Sequence, residues 1–216
     1  MLIIKEGTML IIEEGTRQVR QMSWGNLKAA VDAHIPEIAI HSGDTIFFNL
    51  KDGRDVTVKV AKNENGDYFF VLENCLELRH VNWLRSTKVI WDACGIRNYL
   101  NEEFFHKLPD NLQSVIAPTI NVQIVNGKRV ESEDSLFLLS ATQVFGKGEY
   151  SKLEPEDTQL DCFNSEKSRL KEYRGETIEW WLRTMDESSV YKVCLYAPFA
   201  KTDPYYNHGV VFAFKL

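Results

Sequence analysis

Two adjacent tryptophans, Trp180 and Trp181, constrain the fold of this chain more than any other feature of its sequence. In a β-strand, successive side chains point to opposite faces, so Trp180 lies on one face and Trp181 and Arg183 lie on the other. A strand with a large ring on each face must be covered on both faces. The block therefore predicts a central, buried strand, with Arg183 paired to a buried acid such as Asp134 or Asp92.

Helical and strand patterns lie in separate stretches of the chain rather than alternating. Capping residues and apolar periodicity predict helices from Trp24 to Ile35 capped by Ser23, at 96–104 capped by Asp92 and at 111–116 capped by Asp110. Apolar alternation and turn residues predict strands at 45–50, 56–60 and 68–72 and a pair of strands flanking Asn126-Gly127. Further strands are predicted at 136–139, followed by a helical turn at Ser140, and at 190–196 and 209–216. Residues 146–176 are predicted to be mostly loop, with one short helix near 165–170. This segregation indicates an α+β fold with antiparallel sheets.

Residues 1–16 are a near-perfect tandem repeat of an eight-residue unit, in which Lys5 of the first copy is replaced by Glu13 in the second. Two copies are too few for a solenoid. Each copy has a short β-branched run that ends at a glycine, which predicts a small hairpin or an edge strand. An added edge strand would also allow oligomer assembly. A duplication, or an upstream alternative start with Met9 opening the second copy, explains the repeat.

Charge and composition exclude some classes of partner. The 31 acidic and 25 basic residues give a net charge of −6, and no run of lysines and arginines forms a basic stripe. Nucleic acid is therefore not expected as a partner. The sequence shows no signal-peptide pattern and no apolar run near the roughly 20 residues that span a bilayer, so no membrane association is expected. A location in the cytoplasm, or in a phage particle assembled there, is predicted.

Four motifs in a fixed order resemble one known family. They are Trp91 with Ile96–Asn101 and Phe104-Phe105, then Ser135–Ser140, then Trp180–Thr184, then a terminal strand that begins Gly209-Val210. This order resembles an uncharacterised bacterial and prophage family known only as a domain of unknown function. Members of that family are similar to the C-type-lectin and formylglycine-generating-enzyme fold. The resemblance covers nearly everything from about residue 22 onward.

The resemblance implies a C-type-lectin-like α+β fold in which a helix at 96–106 packs on an antiparallel sheet. Late strands of that sheet would include 180–183 and 209–216. The implied divisions of the chain are an N-terminal extension at 1–21 and a single domain at 22–216, with a β-rich part at 22–85 and a lectin-like core at 86–216. The family's last strand has Gly-Val-Arg-Pro where this chain has Val211 and Phe212 after Gly-Val. A function that needs that arginine is therefore not expected to carry over.

A loop between the last two predicted strands is the best candidate for ligand recognition. It carries Tyr205, Tyr206, Asn207 and His208. Such side chains combine contact area with hydrogen-bonding groups, as protein interfaces do. Arg183 is a further candidate, because the Trp-Trp-Leu-Arg block would serve as an aromatic and cationic platform for a sugar, a peptide or a base. The alternatives are a solvated turn whose tyrosines pack back on the sheet, and a core strand whose arginine is paired.

Metal-binding and catalytic motifs are not recognisable in the sequence. The segment Glu154–Asp157 is similar to the calcium loop of lectins but lacks its amide ligand. Glu102 and His106 lie four apart on a predicted helix, which suits a solvated pair as well as a metal site. The four cysteines have no zinc or redox spacing and are predicted to be reduced and structural. No metal and no cofactor are predicted.

The sequence therefore predicts a non-enzymatic recognition or structural module with a protein or glycan as its ligand. The alternative is an enzyme that acts on a glycan or a protein through carboxylates or Cys194. A concave pocket that holds acids with strongly perturbed pKa values would favour the enzyme. A surface without such a pocket would favour the recognition module.

Overall fold

A computed structural model describes residues 8–15, 18–82, 89–186 and 189–216. The strands are β1 (Thr8–Ile12), β2 (Val19–Ser23), β3 (Thr45–Asn49), β4 (Asp55–Lys62), β5 (Tyr68–Leu72), β6 (Leu78–Arg79), β7 (Thr119–Val125), β8 (Lys128–Asp134), β9 (Phe137–Leu138), β10 (Lys171–Tyr173), β11 (Glu176–Ile178), β12 (Trp180–Asp186), β13 (Ser189–Val193), β14 (Phe199–Thr202), β15 (His208–Gly209) and β16 (Phe212–Phe214). The helices are α1 (Trp24–Asp32), α2 (Gly95–Asn98), α3 (Asp110–Gln113) and α4 (Ala141–Phe145), with a π-helical segment at Tyr99–Phe104 and short 3₁₀ helices at Pro36–Ile38, Trp91–Ala93, Phe105–Lys107, Glu149–Lys152, Asp161–Phe163 and Lys167–Arg169. None of the helices in these ranges has the length and apolar character needed to cross a membrane.

Two large sheets share one hydrophobic core. The seven-stranded sheet has the order β2-β1-β3-β4-β5-β16-β9, and the five-stranded sheet has the order β14-β13-β12-β15-β6. Hairpins β7–β8 and β10–β11 lie outside these sheets. Among the strands described, β12 and β15 form the parallel pair and the other pairs are antiparallel. The chain is therefore an α+β protein with mostly antiparallel sheets, as predicted.

Trp180 and Trp181 lie on β12, the middle strand of the five-stranded sheet, and both are fully buried. The Trp180 ring stacks on Phe163 with centroids 6.2 Å apart, and its Nε1 donates to the carbonyl oxygen of Arg169 at 2.9 Å. The Nε1 of Trp181 donates to the carbonyl oxygen of Arg79 at 2.7 Å. Each indole is therefore packed and hydrogen-bonded, and the prediction of a central buried strand is confirmed.

The C-terminal segment crosses from one large sheet to the other. β15 pairs with β12 and β6, whereas β16 pairs with β5 and β9. Val210 and Val211 lie between them and are buried. In the seven-stranded sheet, Phe214 stacks on Phe70 with centroids 5.1 Å apart. The prediction of one strand over 209–216 is wrong, because the chain leaves one sheet after Gly209 and buries both valines before it enters the other.

The second copy of the N-terminal repeat forms β1, which pairs with β2 on one side and β3 on the other. Met9 and Ile11 are fully buried. The hairpin prediction is therefore confirmed for this copy, and the edge-strand alternative is wrong for it because β1 has a partner on each side. The first copy lies outside the described residues except for Thr8, which opens β1. The division of the chain into 1–21 and 22–216 stays a prediction.

Helix α1 begins as predicted but ends early. The side-chain oxygen of Ser23 accepts a hydrogen bond from the backbone N–H of Asn26 at 3.2 Å, which caps the helix. The helix ends at Asp32 rather than at Ile35. His34 adopts a φ of 57°, a left-handed conformation that the α-helix cannot accommodate.

The second predicted helix is a composite of α2, the π-helical segment and a 3₁₀ turn. Asp92 does not cap it, because Cys94 occupies the N-cap position without a side-chain hydrogen bond. Asp110 is the first residue of α3 rather than its cap. A π-helical segment shifts the register of the side chains that follow it, so a regular 3.6-residue pattern cannot describe this stretch.

Part of the polar stretch predicted to be loop forms the hairpin β10–β11. Arg174 and Gly175 connect its strands with φ values of 55° and 83°. Two consecutive positive φ values are typical of the tight turn that joins antiparallel strands. The prediction of a loop is therefore wrong for the residues of this hairpin. Its strands were not predicted because they are short and lack an apolar alternation. The predicted helix near 165–170 is reduced to the 3₁₀ turn Lys167–Arg169.

Asp134, at the end of β8, is fully buried and accepts hydrogen bonds from several elements. Its carboxylate accepts from Trp91 Nε1, Asn121 Nδ2 and Ser132 Oγ, each at 2.8 Å. Arg97 Nε donates to the same carboxylate at 2.5 Å. One side chain therefore holds the 91–93 turn, α2 and the hairpin β7–β8 together.

Candidate functional site

Arg183, one of the candidate ligand residues, is buried within β12. Its Nη1 lies 3.3 Å from Glu154 Oε1, and its Nη2 lies 2.5 Å from Asp157 Oδ2. The prediction that Arg183 pairs with a buried acid is confirmed. Its partners are not Asp134 or Asp92, however, because those two acids lie beside another arginine. The guanidinium is thus engaged inside the protein rather than presented to a ligand.

Glu154 makes the stability of this buried cluster depend on pH. Burial, reinforced by the charge of Asp157, raises the pKa of Glu154 to about 8, although Arg183 and the Thr184 hydroxyl act in the opposite direction. Thr184 Oγ1 donates to Glu154 Oε2 at 2.6 Å. Because the folded-state pKa lies above the ordinary glutamate value of 4.5, the folded state holds the proton more tightly than the unfolded state. The resulting stabilisation is complete at a pH below the ordinary glutamate pKa of 4.5, and it is lost as the pH rises through the folded-state pKa.

The variant Glu154→Gln should remove this dependence. Between about pH 5 and about pH 8.5, we expect the free energy of unfolding of the wild type to fall by roughly 2–4 kcal/mol more than that of the variant, since glutamine does not titrate. Urea unfolding at both pH values measures the difference. The same pH dependence in both proteins would contradict the assignment to Glu154.

The candidate recognition loop is fastened to the segment that follows β6. The backbone N–H groups of Val81 and Asn82 donate to the carbonyl oxygen of Pro204 at 2.9 and 3.3 Å. His80 Nδ1 contacts the carbonyl oxygen of Tyr205. The backbone of the loop is therefore held in place at its start.

The four candidate residues of the loop differ in exposure. Tyr206 is 61% exposed and Asn207 is also exposed, whereas Tyr205 and His208 are partly buried. The His208 ring lies edge-on to Trp181 with centroids 4.6 Å apart, and the Tyr206 ring centroid lies 6.4 Å from that of His208. The loop therefore presents one tyrosine and one amide to solvent and packs its imidazole on the sheet.

Strand pairing places a polar cluster beside His208. The Glu179 cluster consists of Glu179, Lys192, Cys194 and His208, which the pairings of β12 with β13 and β15 bring to one face. Lys192 Nζ forms an ion pair with Glu179 Oε2, and His208 Nδ1 lies 3.7 Å from the same oxygen. The Cys194 thiol lies near enough to the Glu179 carboxylate for that charge to raise the thiol's pKa. One carboxylate thus lies beside a cation, a thiol and an imidazole.

The charge states of the Glu179 cluster follow from burial and from Lys192. Burial acts to raise the pKa of Glu179, but the hydrogen bond and charge of Lys192 outweigh it and lower the pKa. Burial and Lys192 lower the pKa of His208 to about 4. Burial and the Glu179 carboxylate raise the pKa of Cys194. At neutral pH the cluster therefore holds a carboxylate, an ammonium, a neutral imidazole and a thiol, which suits hydrogen bonding better than nucleophilic attack.

A cleft of about 410 Å³ opens beside Cys194, between the tip of the hairpin β13–β14 and the turn that precedes β10. Its apolar lining residues are Leu170, Val193, Leu195, Tyr196, Ala197 and Pro198. Among them, Tyr196 is 99% exposed, Leu170 46% and Leu195 36%. The charged residues of its lining are Glu166, Lys167 and Arg169. The cleft thus combines an exposed apolar surface with charges of both signs.

The residues that the structure describes contain no group of three His, Cys, Asp or Glu side chains that could hold a metal ion. Glu154 and Asp157, in the segment similar to a lectin calcium loop, are ion-paired with Arg183 instead. The four cysteines are free thiols.

Comparison with known protein families matches residues 65–211 to a family described as a domain of unknown function, DUF6273. The chain belongs to the DUF6273 family. The matched region contains β12, the Glu179 cluster, the cleft and the candidate loop. No curated protein and no solved structure matches the chain.

The cleft of this DUF6273 protein was not predicted, because the strand predicted at 190–196 extends beyond the end of β13. β13 ends at Val193, and residues 195–198 bend before β14 begins. Leu195 and Tyr196 therefore lie at a hairpin tip instead of alternating across a sheet. Pro198 was the available signal, since proline cannot donate to a strand ladder and is confined to edges and turns.

Proposed function

We propose that this DUF6273 chain is a non-enzymatic recognition module that binds an apolar segment of another protein at the cleft beside Tyr196. The observation that carries the proposal is the 99% exposure of that ring at a hairpin tip. A ring in this position contributes almost no burial to folding, whereas tyrosine is enriched in protein interfaces. Leu170 and Leu195 border the same cleft, so the apolar surface is continuous rather than scattered.

Because the apolar lining of the cleft is mostly aliphatic, a protein segment suits it better as a ligand than a glycan does. Sugar recognition depends on aromatic faces and on dense hydrogen bonding, but the apolar lining of this cleft has one aromatic ring, Tyr196, among aliphatic residues. Glu166, Lys167 and Arg169 at the same cleft supply charges of both signs, which orient a peptide through complementary side chains.

The loop at 203–208 supports a wider surface of which the cleft is one part. Cys194 lines the cleft and lies beside Glu179, which in turn lies beside His208 of the loop. Tyr206 is exposed next to that imidazole. The proposed surface therefore runs from Tyr196 through the Glu179 cluster to Tyr206.

The proposal predicts that serine at both Leu195 and Tyr196 weakens ligand binding at least about tenfold, or ~1.4 kcal/mol, without lowering the Tm. Tyr196 is 99% exposed, and Leu195, which is 36% exposed, lies at the tip of a hairpin, so the loss of these side chains should change folding little. The whole chain would be screened against a random-peptide display library and a glycan array, and the Kd of each hit measured by calorimetry. The matched control is Ile120→Ser on β7, where the side chain is 52% exposed and lies outside the cleft.

Peptides that bind the wild type and Ile120→Ser but not the double variant would support both the site and the ligand class. Glycans with the same dependence would keep the site and replace the ligand class. Ligands that bind all three proteins equally would contradict the site.

We propose in addition that the fold is C-type-lectin-like within a single domain at 22–216, and that the chain is of bacterial or prophage origin and works in the cytoplasm or in a phage particle. The ordered motifs around Trp91, Trp180 and Gly209 support this. An experimental structure in which β12, β15 and β16 do not superpose on the late strands of C-type lectin domains would contradict the fold proposal.

A further inference from the structure

A second cavity, of about 330 Å³, adjoins β10 and the end of β5. Its lining includes three lysines, Lys59, Lys167 and Lys171, and two glutamates, Glu73 and Glu172. With all of these groups ionised, the three positive charges exceed the two negative charges by one. The cavity is therefore polar and weakly cationic, in contrast to the apolar cleft beside Tyr196.

Lys171 is the unusual member of this lining because it is only 6% exposed. Its Nζ donates to the carbonyl oxygen of Leu72 at 2.9 Å, and this is the single acceptor found for it in the described part of the chain. An ammonium group has three donors. Burial lowers the pKa of Lys171. The Phe163 ring lies 5.6 Å from the same Nζ, but two of the three N–H donors have no acceptor within the described chain. A further acceptor from a ligand would therefore stabilise the charged form.

Other donors around the cavity also have spare capacity. Lys59 Nζ lies 4.0 Å from its nearest carboxylate oxygen, on Glu14. Lys167 forms no ion pair with any residue in the described ranges. Asn74 Oδ1 accepts from the backbone N–H of Glu172 at 3.0 Å, and within the described chain no acceptor is found for the Asn74 amide N–H groups. The cavity thus gathers two cations and an amide that can donate to the same guest as Lys171.

We propose that this cavity binds a small oxyanion, the sulfate, phosphate or carboxylate group of a small molecule, with Lys171 as its central partner. Lys59, Lys167 and Asn74 supply the further donors. Hydrogen bonds between an ammonium and an oxyanion are shorter and stronger than neutral ones, and partial burial strengthens them further.

The oxyanion cavity adjoins the proposed recognition cleft without depending on it. Lys167 and Leu170 line both, whereas Leu195 and Tyr196 line only the cleft. Serine at 195 and 196 should therefore leave anion binding unchanged. Failure of one proposal can thus be told apart from failure of the other.

Calorimetric titration of the whole chain with sodium sulfate, and separately with sodium acetate, tests the inference. Ionic strength is held constant with chloride, because sulfate also stabilises proteins without a specific site. We expect saturable sulfate binding by the wild type and at least about tenfold weaker binding by Lys171→Met. The matched control Lys128→Met changes an exposed lysine at the start of β8 and should bind as the wild type does.

Methionine keeps the apolar stem of the buried lysine, so Lys171→Met should fold with an unchanged or higher Tm. If it does not fold, Lys167→Met decides, with an expected loss of at least about threefold in affinity. Acetate binding that also depends on Lys171 would extend the ligand class to carboxylates, and sulfate binding alone would restrict it to tetrahedral anions. Equal sulfate affinity in wild type and Lys171→Met, or no saturable sulfate binding by the wild type, would overturn the inference.

Discussion

Replacing Asp134 with alanine is expected to lower the free energy of unfolding by about 3–5 kcal/mol. The carboxylate accepts hydrogen bonds from Trp91, Arg97, Asn121 and Ser132, and it is fully buried. Alanine leaves these donors without their acceptor inside the protein. A buried donor left without an acceptor costs more free energy than an intact hydrogen bond contributes on balance. The four losses therefore sum to a large destabilisation. Urea unfolding near neutral pH measures the effect.

The neighbouring residue provides the control for this prediction. Glu133 precedes Asp134 on β8 but is exposed, so Glu133→Ala should change the free energy of unfolding by less than about 0.5 kcal/mol. A loss below about 1 kcal/mol for Asp134→Ala would contradict the role assigned to its carboxylate. It would mean that water replaces the missing acceptor at little cost.

The second large effect is expected for Arg183→Met, at about 3 kcal/mol of destabilisation. Methionine preserves the apolar stem but removes the guanidinium that pairs with Glu154 and Asp157. The raised pKa of Glu154 allows this carboxyl to become neutral, so Asp157 retains most of the uncompensated charge. Unfolding in urea would show this loss as a lower midpoint with an unchanged slope.

Arg129, which is exposed, is the control that shows whether the loss of stability comes from the burial of Arg183 or from the loss of an ion-paired charge as such. Arg129 forms ion pairs with Glu131 and Glu156 at the surface, where such pairs contribute little. Arg129→Met should therefore cost less than about 1 kcal/mol. Similar losses for Arg183→Met and Arg129→Met would show that the buried cluster contributes no more than a surface pair.

Local signals in the sequence predicted local structure well. Ser23 caps α1, Asn126-Gly127 joins β7 to β8, and Ser140 caps α4 through a capping box with Gln143. In each case the groups that decide the conformation lie within a few residues of one another. The errors at helix ends arose where one backbone angle, as at His34, overrode a continuing apolar pattern.

The candidate site was predicted only in part. The loop with Tyr205, Tyr206, Asn207 and His208 was proposed from composition and stays a prediction, whereas the Glu179 cluster and the cleft beside Tyr196 were not predicted. Arg183 was expected to be either a ligand residue or a paired core residue, and the structure buries it against acids that were not named. Each missed feature depends on strand pairing, which a single sequence does not reveal.

The adjacent residues Trp180 and Trp181 are enough to predict a buried central strand, because two indoles on opposite faces of one strand must both leave water. The residues that those two faces contact could be learned only from the folded chain. Arg183 and Glu154 are 29 residues apart, Lys171 and Leu72 are 99 apart, and Trp181 and Arg79 are 102 apart. Contacts over such separations depend on how the sheets pair and cross, and no pattern within a short window of sequence encodes that geometry.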